Sequence, residues 1–341
     1  MRVVASAPGK LILLGEYAVL EGAPALVASV ERRAEVSVEL SEGRGIVVDA
    51  PDIGVHRVEL PPPSEPSDQD ERLAFVEACL GEVWPRLPSL GEHRLDIRIN
   101  SERFLSSAGG PKLGLGSSAA VSVALVTALE VAGGHGDGPA VRHIFEAAHR
   151  AHRRAQGGVG SGLDIAASSF GGVVAMYPGK DEEPARCESL RVPDGVSLLP
   201  VYTGRGASTT ELVGLVREYA EREPEAYSTL IEAMTECSNK AIAAEGSKEF
   251  LEACASYGKW LGKLGEVSGA DIVSAPHRAL GQIAADAGLV YKPSGAGGGD
   301  IGLVFADDPS RLENARDELK RAGGEPLSLD LGGPGVIFTL G

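Results

Sequence analysis

The chain has 341 residues, of which 43% are hydrophobic and 23% charged, and its formal net charge at pH 7 is -16. That length buries a real core and is expected to divide into two domains, and the composition argues against long disorder. The negative balance leaves nothing chain-wide to attract nucleic acid or anionic lipid, so a phosphate-bearing ligand must be held by local cations and backbone amides.

Four widely spaced cysteines (Cys79, Cys187, Cys237, Cys254) form no CxxC pair. They read as reduced, buried thiols of a cytoplasmic protein rather than a metal site. The apolar start MRVVASAPGKLILLGEYAVLEG is interrupted by Lys10 and Glu16, so no signal-peptide h-region develops. No stretch approaches the ~20 apolar residues of a membrane span. The expected setting is therefore cytoplasmic, away from membrane and nucleic acid.

In chain order, short alternating runs (LILLGEY, AEVSVEL, GIVVDA, VHRVEL) predict antiparallel strands over the first ~60 residues. PPPSEPSDQD is a loop. Residues 70–84 have helical spacing, and HRLDIRIN alternates with Leu95, Ile97 and Ile99 on one face. Helices follow from about Ser117 to Val131 and over residues 139–156, then the glycine-rich GGVGSGLD and the strand-like GGVVAMY. The charged, proline-bearing run at about residues 180–195 is read as a linker between an amino-terminal domain (1–185) and a carboxy-terminal one (195–341). Beyond it come a strand at VSLLPVYTG, a capping box from Ser208 to Glu211, helices to about residue 288, a strand at DIGLVFA, a helix near PSRLENARDELKRAG and a last strand at GVIFTL.

One stretch, GPKLGLGSSAA, invites three readings. GLGSSA fits the loose dinucleotide fingerprint, but the preceding SSAGGPK is no buried strand and the next acidic residue, Glu130, falls late in a helix. A P-loop fails as well, because Gly116 is followed by Ser117 and Ser118 rather than by lysine. What remains is an anion cradle of backbone N–H groups at a helix start, with glycines admitting a phosphate and serines able to cap or ligate Mg²⁺. The plainer alternative is a turn in which Ser117 is only the N-cap.

Two further glycine-bearing segments, SAPGKLILLGEYAVL and KPSGAGGGD, carry functional groups that a turn does not need. Together and in this order the three resemble the motifs of the GHMP kinases, over residues 5 to about 305. The resemblance implies an α+β fold, with a ribosomal-S5-like amino-terminal domain, a ferredoxin-like carboxy-terminal domain, and ATP and acceptor in the cleft between them. It implies a phosphate loop of Lys112, Gly114, Leu115, Gly116, Ser117, Ser118 and Ala119, with Ser118 toward Mg²⁺. Asp164 matches the family's catalytic aspartate and Lys10 the lysine that pairs with it. Lys10, Glu16, Tyr17, Ser161, Gly162, Ser294, Gly295 and Ala296 would face the acceptor.

Tyr17 and Asp300 depart from the usual mevalonate kinase pattern, and GEYAVLEG with KPSGAGGGD is more similar to the phosphomevalonate kinases. That implies ATP-dependent conversion of 5-phosphomevalonate to 5-diphosphomevalonate by a monomer or homodimer. Mevalonate kinase or another small-alcohol kinase is the alternative, and a nucleotide-binding regulator without catalysis is one of a different class. Arg32, Arg33, Arg150, Arg153, Arg154 and Arg205 are candidate partners for an acceptor phosphate, and each also suits a solvated face. His152 falls where related kinases carry a glutamate that helps hold Mg²⁺; with His149 it reads as part of a solvated helix face. Asp300 either pins its turn or lies near the metal.

Overall fold

The structure, a computed structural model, describes residues 1–63, 70–106, 110–134, 138–158, 160–179 and 185–341. Part of the loop expected at 61–70, part of the linker expected from 180, the residues just before the glycine-serine stretch and Val159 lie outside the described residues.

The amino-terminal half is built on one large sheet. Strand β1 (Arg2–Leu14) pairs antiparallel with the long β2 (Ala25–Ser41), which pairs with β5 (Arg94–Asn100). Strands β3 (Gly45–Ala50) and β4 (Val55–Leu60) continue it as β1-β2-β5-β3-β4. The strands of the first 60 residues pair antiparallel with one another, as expected, and the one parallel joint of the sheet is between β3 and β5. Parallel neighbours need a long crossover; here β4, the helix α1 (Ala74–Val83) and its flanking turns supply it.

Helix α2 (Ser117–Ala132) packs on β1 and β2 and is buried from Ala119 to Ala132. Apart from Glu130, which pairs with Arg86 and His143, its residues are apolar or small on every side, the pattern of a helix inside a core rather than on its rim. Helix α3 (Val141–Ala155) covers it with a one-sided stripe, Ile144, Phe145, Ala147, Ala148 and Ala151 inward. Helix α4 (Leu163–Phe170) leads into β6 (Val173–Tyr177), which pairs with β2 and with β7 (Arg186–Leu190). The linker expectation is thus corrected for residues 186–190. They form an edge strand whose charged side chains face solvent, a composition that suits an edge and hides the strand from a periodicity reading.

The second sheet, ordered β11-β8-β10-β9 and antiparallel throughout, joins β8 (Ser197–Tyr202), β9 (Val290–Ser294), β10 (Ile301–Ala306) and β11 (Glu325–Pro326). Between β8 and β9 run α5 (Thr209–Arg222), α6 (Pro224–Ala243), α7 (Ser247–Ser268) and α8 (Ala275–Asp286). The Ser208 hydroxyl accepts from the Glu211 N–H at the start of α5, as the capping box predicts. After α9 (Pro309–Arg321), β12 (Ile337–Leu340) returns to the first sheet and pairs antiparallel with β1. Among the described residues no helix is long and apolar enough to cross a membrane.

Candidate functional site

The start of α2 is an open anion seat. Its N-cap is Gly116, at φ 79°, and no side chain caps the helix. The reading of Ser117 as an N-cap is therefore corrected: Ser117 is the first helical residue, and the first-turn N–H groups point outward with the positive end of the helix dipole behind them. Gly116 has two reasons to be glycine. Its φ is left-handed, and a Cβ there would come within 3.0 Å of Lys10 Cγ and 3.7 Å of Asp164 Cβ.

Those two side chains meet beneath the seat because the elements that carry them are in register. The Ser168 hydroxyl on α4 donates to the Pro8 carbonyl on β1 at 2.8 Å. Asp164 lies one helical turn before Ser168, and Lys10 two residues beyond Pro8 on the same strand face, so the helical and strand periods bring both to one spot. The Lys10 ammonium donates to the Gly114 carbonyl at 3.0 Å, and the Lys10 N–H to Leu115 O at 2.8 Å. The expected Lys10–Asp164 pairing is thus an electrostatic neighbourhood rather than a contact. Burial lowers the Lys10 pKa below the ordinary lysine value, and the charges of Asp164, Asp300 and Glu16 oppose that shift.

His152 corrects the expectation of a solvated histidine face. It is 3% exposed and stacked on Phe75 with ring centroids 4.8 Å apart. Its Nε2 lies 3.2 Å from Ser118 Oγ and 3.8 Å from Asp164 Oδ2. His149, one turn away, packs on Phe145, and its Nε2 is buried without a partner. Burial lowers the His149 pKa, and the Asp164 charge works against the shift.

The other wall of the cavity comes from the turn between β9 and β10. Asp300 stands there at φ 54°, a strained setting for a residue with a side chain. Its side chain occupies the place a Cβ on Gly114 would need, so it lies directly against the glycine-serine loop that precedes α2. Burial raises the Asp300 pKa, while Lys10 and the Ala207 N–H hold it down. Asp300 therefore both pins its turn and faces the loop. His277, fully buried on α8, lies 3.0 Å from Gly299 O through Nε2 and 2.7 Å from the Tyr291 hydroxyl through Nδ1. Since the carbonyl can only accept, Nε2 carries the proton and Nδ1 accepts from the tyrosine.

Side-chain bonds join β9 and this turn to β1 and the segment after it. The Ser294 hydroxyl accepts from Ile12 N and donates to Ile12 O, both at 3.0 Å. Tyr17 OH donates to Ala296 O at 2.6 Å, and Lys292 Nζ lies 2.5 Å from Glu16 Oε1.

One cavity therefore gathers Lys10, Glu16, Tyr17, Lys112, Gly114, Leu115, Gly116, Ser117, Ser118, Ser161, Asp164, Ser294, Gly295 and Ala296. Two anticipated residues do not line it. Ala119 is buried in the core, and Gly162 caps α4 against the His149 ring. The arginines anticipated for an acceptor phosphate are also elsewhere. Arg150 and Arg154 bind Glu82, and Arg153 donates to Gly158 O. Arg33 is spent on Ser6, Pro334 and Gly335, Arg32 reaches Arg103 O, and Arg205 holds Gly298 O and Asp271. None of them lines the cavity, whose described cations are Lys10 and Lys112.

Among the described residues no three His, Cys, Asp or Glu side chains form a metal cage. The donors at the seat are hard oxygens, the Ser118 hydroxyl and the Asp164 and Asp300 carboxylates, beside a glycine cradle. That set suits Mg²⁺, which keeps much of its shell from phosphates and water.

Helix-start amides, the Lys10 ammonium and the Asp164 carboxylate meet on one cavity wall, a set of groups able to receive a phosphate. Residues 76–172 match the GHMP kinases N terminal domain. The chain is 31% identical over 340 residues to a mevalonate kinase of Pyrococcus horikoshii, covering 95% of this chain and 94% of that one. It is 30% identical over 365 residues to a phosphomevalonate kinase of Streptomyces sp. strain CL190, covering 96% of each. Among solved structures it resembles a Lin0012 protein from Listeria innocua (TM-score 0.88, 25% identity, 100% of both chains). It also shares the fold of a Streptococcus pneumoniae phosphomevalonate kinase (TM-score 0.79, 19% identity, 96% of this chain and 99% of that one). The chain belongs to the GHMP kinases, and the two-sheet α+β architecture is that of the family.

Proposed function

We propose that the protein transfers the γ-phosphoryl group of ATP to a hydroxyl of a small branched hydroxy acid, with mevalonate as the acceptor. The observation that carries this reading is the convergence of the uncapped α2 start, Lys10 and Asp164 on one cavity that, among the described residues, holds no arginine. Phosphoryl transfer through a loose transition state needs positioning and charge stabilisation above all. The α2 amides, Ser117 and Ser118 bind the β and γ phosphates. Lys10, fixed by Gly114 O, meets charge on the moving phosphoryl group. Asp164 orients the acceptor hydroxyl and takes its proton. Mg²⁺, held by Ser118 and the phosphates, would neutralise nucleotide charge when bound.

Mevalonate itself is favoured over a phosphorylated acceptor by the cavity's charge: among the described residues Asp164 and Asp300 balance Lys10 and Lys112, Glu16 is already paired with Lys292, and no surplus cation remains for a further phosphate. Mevalonate kinase is also the more frequent name among the curated relatives. A second reading, 5-phosphomevalonate, is favoured by Tyr17 and Asp300 and by the Streptomyces relative of nearly equal identity. Either way the intact Lys10, Ser118 and Asp164 weigh against a regulator without catalysis.

A coupled ADP-release assay with mevalonate, 5-phosphomevalonate and galactose tests this. Faster turnover of mevalonate is expected, and faster turnover of the 5-phosphate makes the second reading the function. Asp164→Asn is expected to lower kcat by about 10²–10⁴-fold with the fold intact; unchanged kcat would remove Asp164 from the mechanism.

A further inference from the structure

Strands β1 and β2 lose register beside the site. Pro8 on β1 pairs with Arg33 on β2 but Gly9 pairs with Val30, so Glu31 and Arg32 form a bulge with no partner on β1. Bulges bend a strand and re-aim the side chains around them, often next to active sites. Here the side chain concerned is Lys10, which follows Gly9 on β1.

The far end of the chain fills the bulge. Residues 330–336, arriving from the second sheet, lie along it. The Glu31 N–H donates to Asp330 O at 3.0 Å, the Gly332 N–H to Ser29 O at 2.9 Å, and the Ser29 hydroxyl to Gly333 O at 2.8 Å. The same segment then closes on the end of α4, where the Val336 N–H donates to Ser169 O at 3.1 Å and the Gly172 N–H to Gly333 O at 2.8 Å. Gly335 is pressed so closely against that turn that a Cβ would run into Ser169 O.

Arg33 ties these pieces together, with its side chain only 12% exposed. Nη2 donates to Ser6 O at 2.8 Å and to Gly335 O at 2.7 Å, Nη1 to Pro334 O at 2.9 Å, and Nε to Ser6 Oγ at 2.9 Å. The closest bonds are thus to uncharged oxygens, while Glu31 Oε1 stands farther off at 3.5 Å. What this arginine supplies is the geometry of its planar fork more than its charge. The fork bonds β1 two residues before Pro8, whose carbonyl accepts from Ser168 on α4. Helix α4 has only 8 residues, and Asp164 stands about 7.5 Å along it from Ser169 at ~1.5 Å per residue. A helix this short moves as one piece.

We infer that Arg33 is a positioning residue: by holding Pro334 and Gly335 between β1 and the end of α4, it fixes α4 on β1 and with it the place of Asp164 beside Lys10. This rests on the phosphoryl-transfer reading above, in which Asp164 orients the acceptor hydroxyl. A displacement of about 1 Å at a reacting group costs on the order of a hundredfold in rate.

Arg33→Met and, independently, Gly335→Ala test this by steady-state kinetics with the better acceptor, while melting curves establish that each protein is folded at the assay temperature. Gly335→Ala leaves the guanidinium in place and pushes the segment off α4, so it decides the question if loss of Arg33 unfolds the chain. In both, kcat is expected to fall by about 10- to 100-fold while the KM for ATP stays within about threefold. Arg33→Lys, which keeps the charge and reaches fewer carbonyls, is expected to fall between these and wild type. In an Asp164→Asn background the same substitutions are expected to cost less than about threefold further, since a residue acting through Asp164 has nothing left to position. Wild-type kcat in a folded variant overturns the proposal, and so does an equal loss in both backgrounds, the mark of a purely structural role. If Asp164→Asn alone keeps wild-type kcat, the reading of Asp164 has failed, and a positioning role through it goes too.

Discussion

Ser118 Oγ and His152 Nε2 stand 3.2 Å apart at the start of α2, with Asp164 Oδ2 3.8 Å from the same ring nitrogen. A histidine thus stands beside the Ser118 hydroxyl, at the position where the family resemblance implies a metal-holding glutamate. Restoring the carboxylate should trade stability for metal affinity. His152→Glu sets a second negative charge beside Asp164, so the melting temperature without ligand should fall, while Mg²⁺ with ADP should restore it. The half-saturating Mg²⁺ concentration should drop by about tenfold. Melting curves with and without Mg²⁺ and ADP, and metal titration of the rate, check both; identical Mg²⁺ dependence would detach position 152 from the metal.

Lys10 is held in its charged form at a cost, since burial lowers its pKa from 10.5. The folded chain then binds fewer protons than the unfolded chain between that lowered value and 10.5, so the Lys10 contribution makes stability rise with pH through this window. Lys10→Met should lose that part of the rise. At pH 7 it should fold at least as well as wild type, by up to about 2 kcal/mol, while kcat falls by about 100- to 1000-fold. Urea unfolding at several pH values together with the coupled assay reads both; a variant that unfolds readily at pH 7 contradicts the burial argument.

Gly116→Ala should damage nucleotide binding without unfolding the protein. The left-handed φ costs about 1–2 kcal/mol for a residue with a Cβ, and that Cβ would press on Lys10 Cγ at 3.0 Å. The KM for ATP should rise by roughly 5- to 30-fold, with acceptor KM little changed. Equal effects on both substrates would mean that this turn does not belong to the nucleotide side.

His277 predicts acid sensitivity. Burial, first among its causes, lowers its pKa from 6.5 to about 4. The unfolded chain therefore binds the extra proton between those values, and stability present above pH 6.5 is lost as pH falls toward 4, by about 3 kcal/mol. His277→Gln should be less stable at pH 7.5 but should show a shallower decline on acidification. Urea midpoints at pH 7.5, 5.5 and 4.5 measure the difference. Parallel declines would place the acid sensitivity in other groups.

Much of this was legible in the sequence because it is local. The inward stripe of α3, the alternation of β5 and the long apolar run of α2, broken only by small hydroxyl residues and Glu130, each declare their element, and the three glycine-bearing segments fall together on one cavity. What escaped was set by partners far away in the chain. Nothing near Lys292 in VYKPS announces a carboxylate 276 residues earlier, and His277 reads as an ordinary helical residue until Gly299 O is beside it. The arginines mislead for the same reason: their spacing suggests a basic patch, while Glu82, Gly158 O and the carbonyls near residue 334 consume them. The parallel step from β3 to β5 depends on how far the intervening segment travels, which no local period encodes.

The hydroxyl of Ser294 takes the N–H of Ile12 and returns a proton to the carbonyl of the same residue. Through that single oxygen the second sheet reads the backbone of the first as a neighbouring strand would, so the floor of the cleft is a bonded seam. Rocking the two halves apart would strand two main-chain groups at once. The cavity's exposed edge lies on the other side, at Lys112.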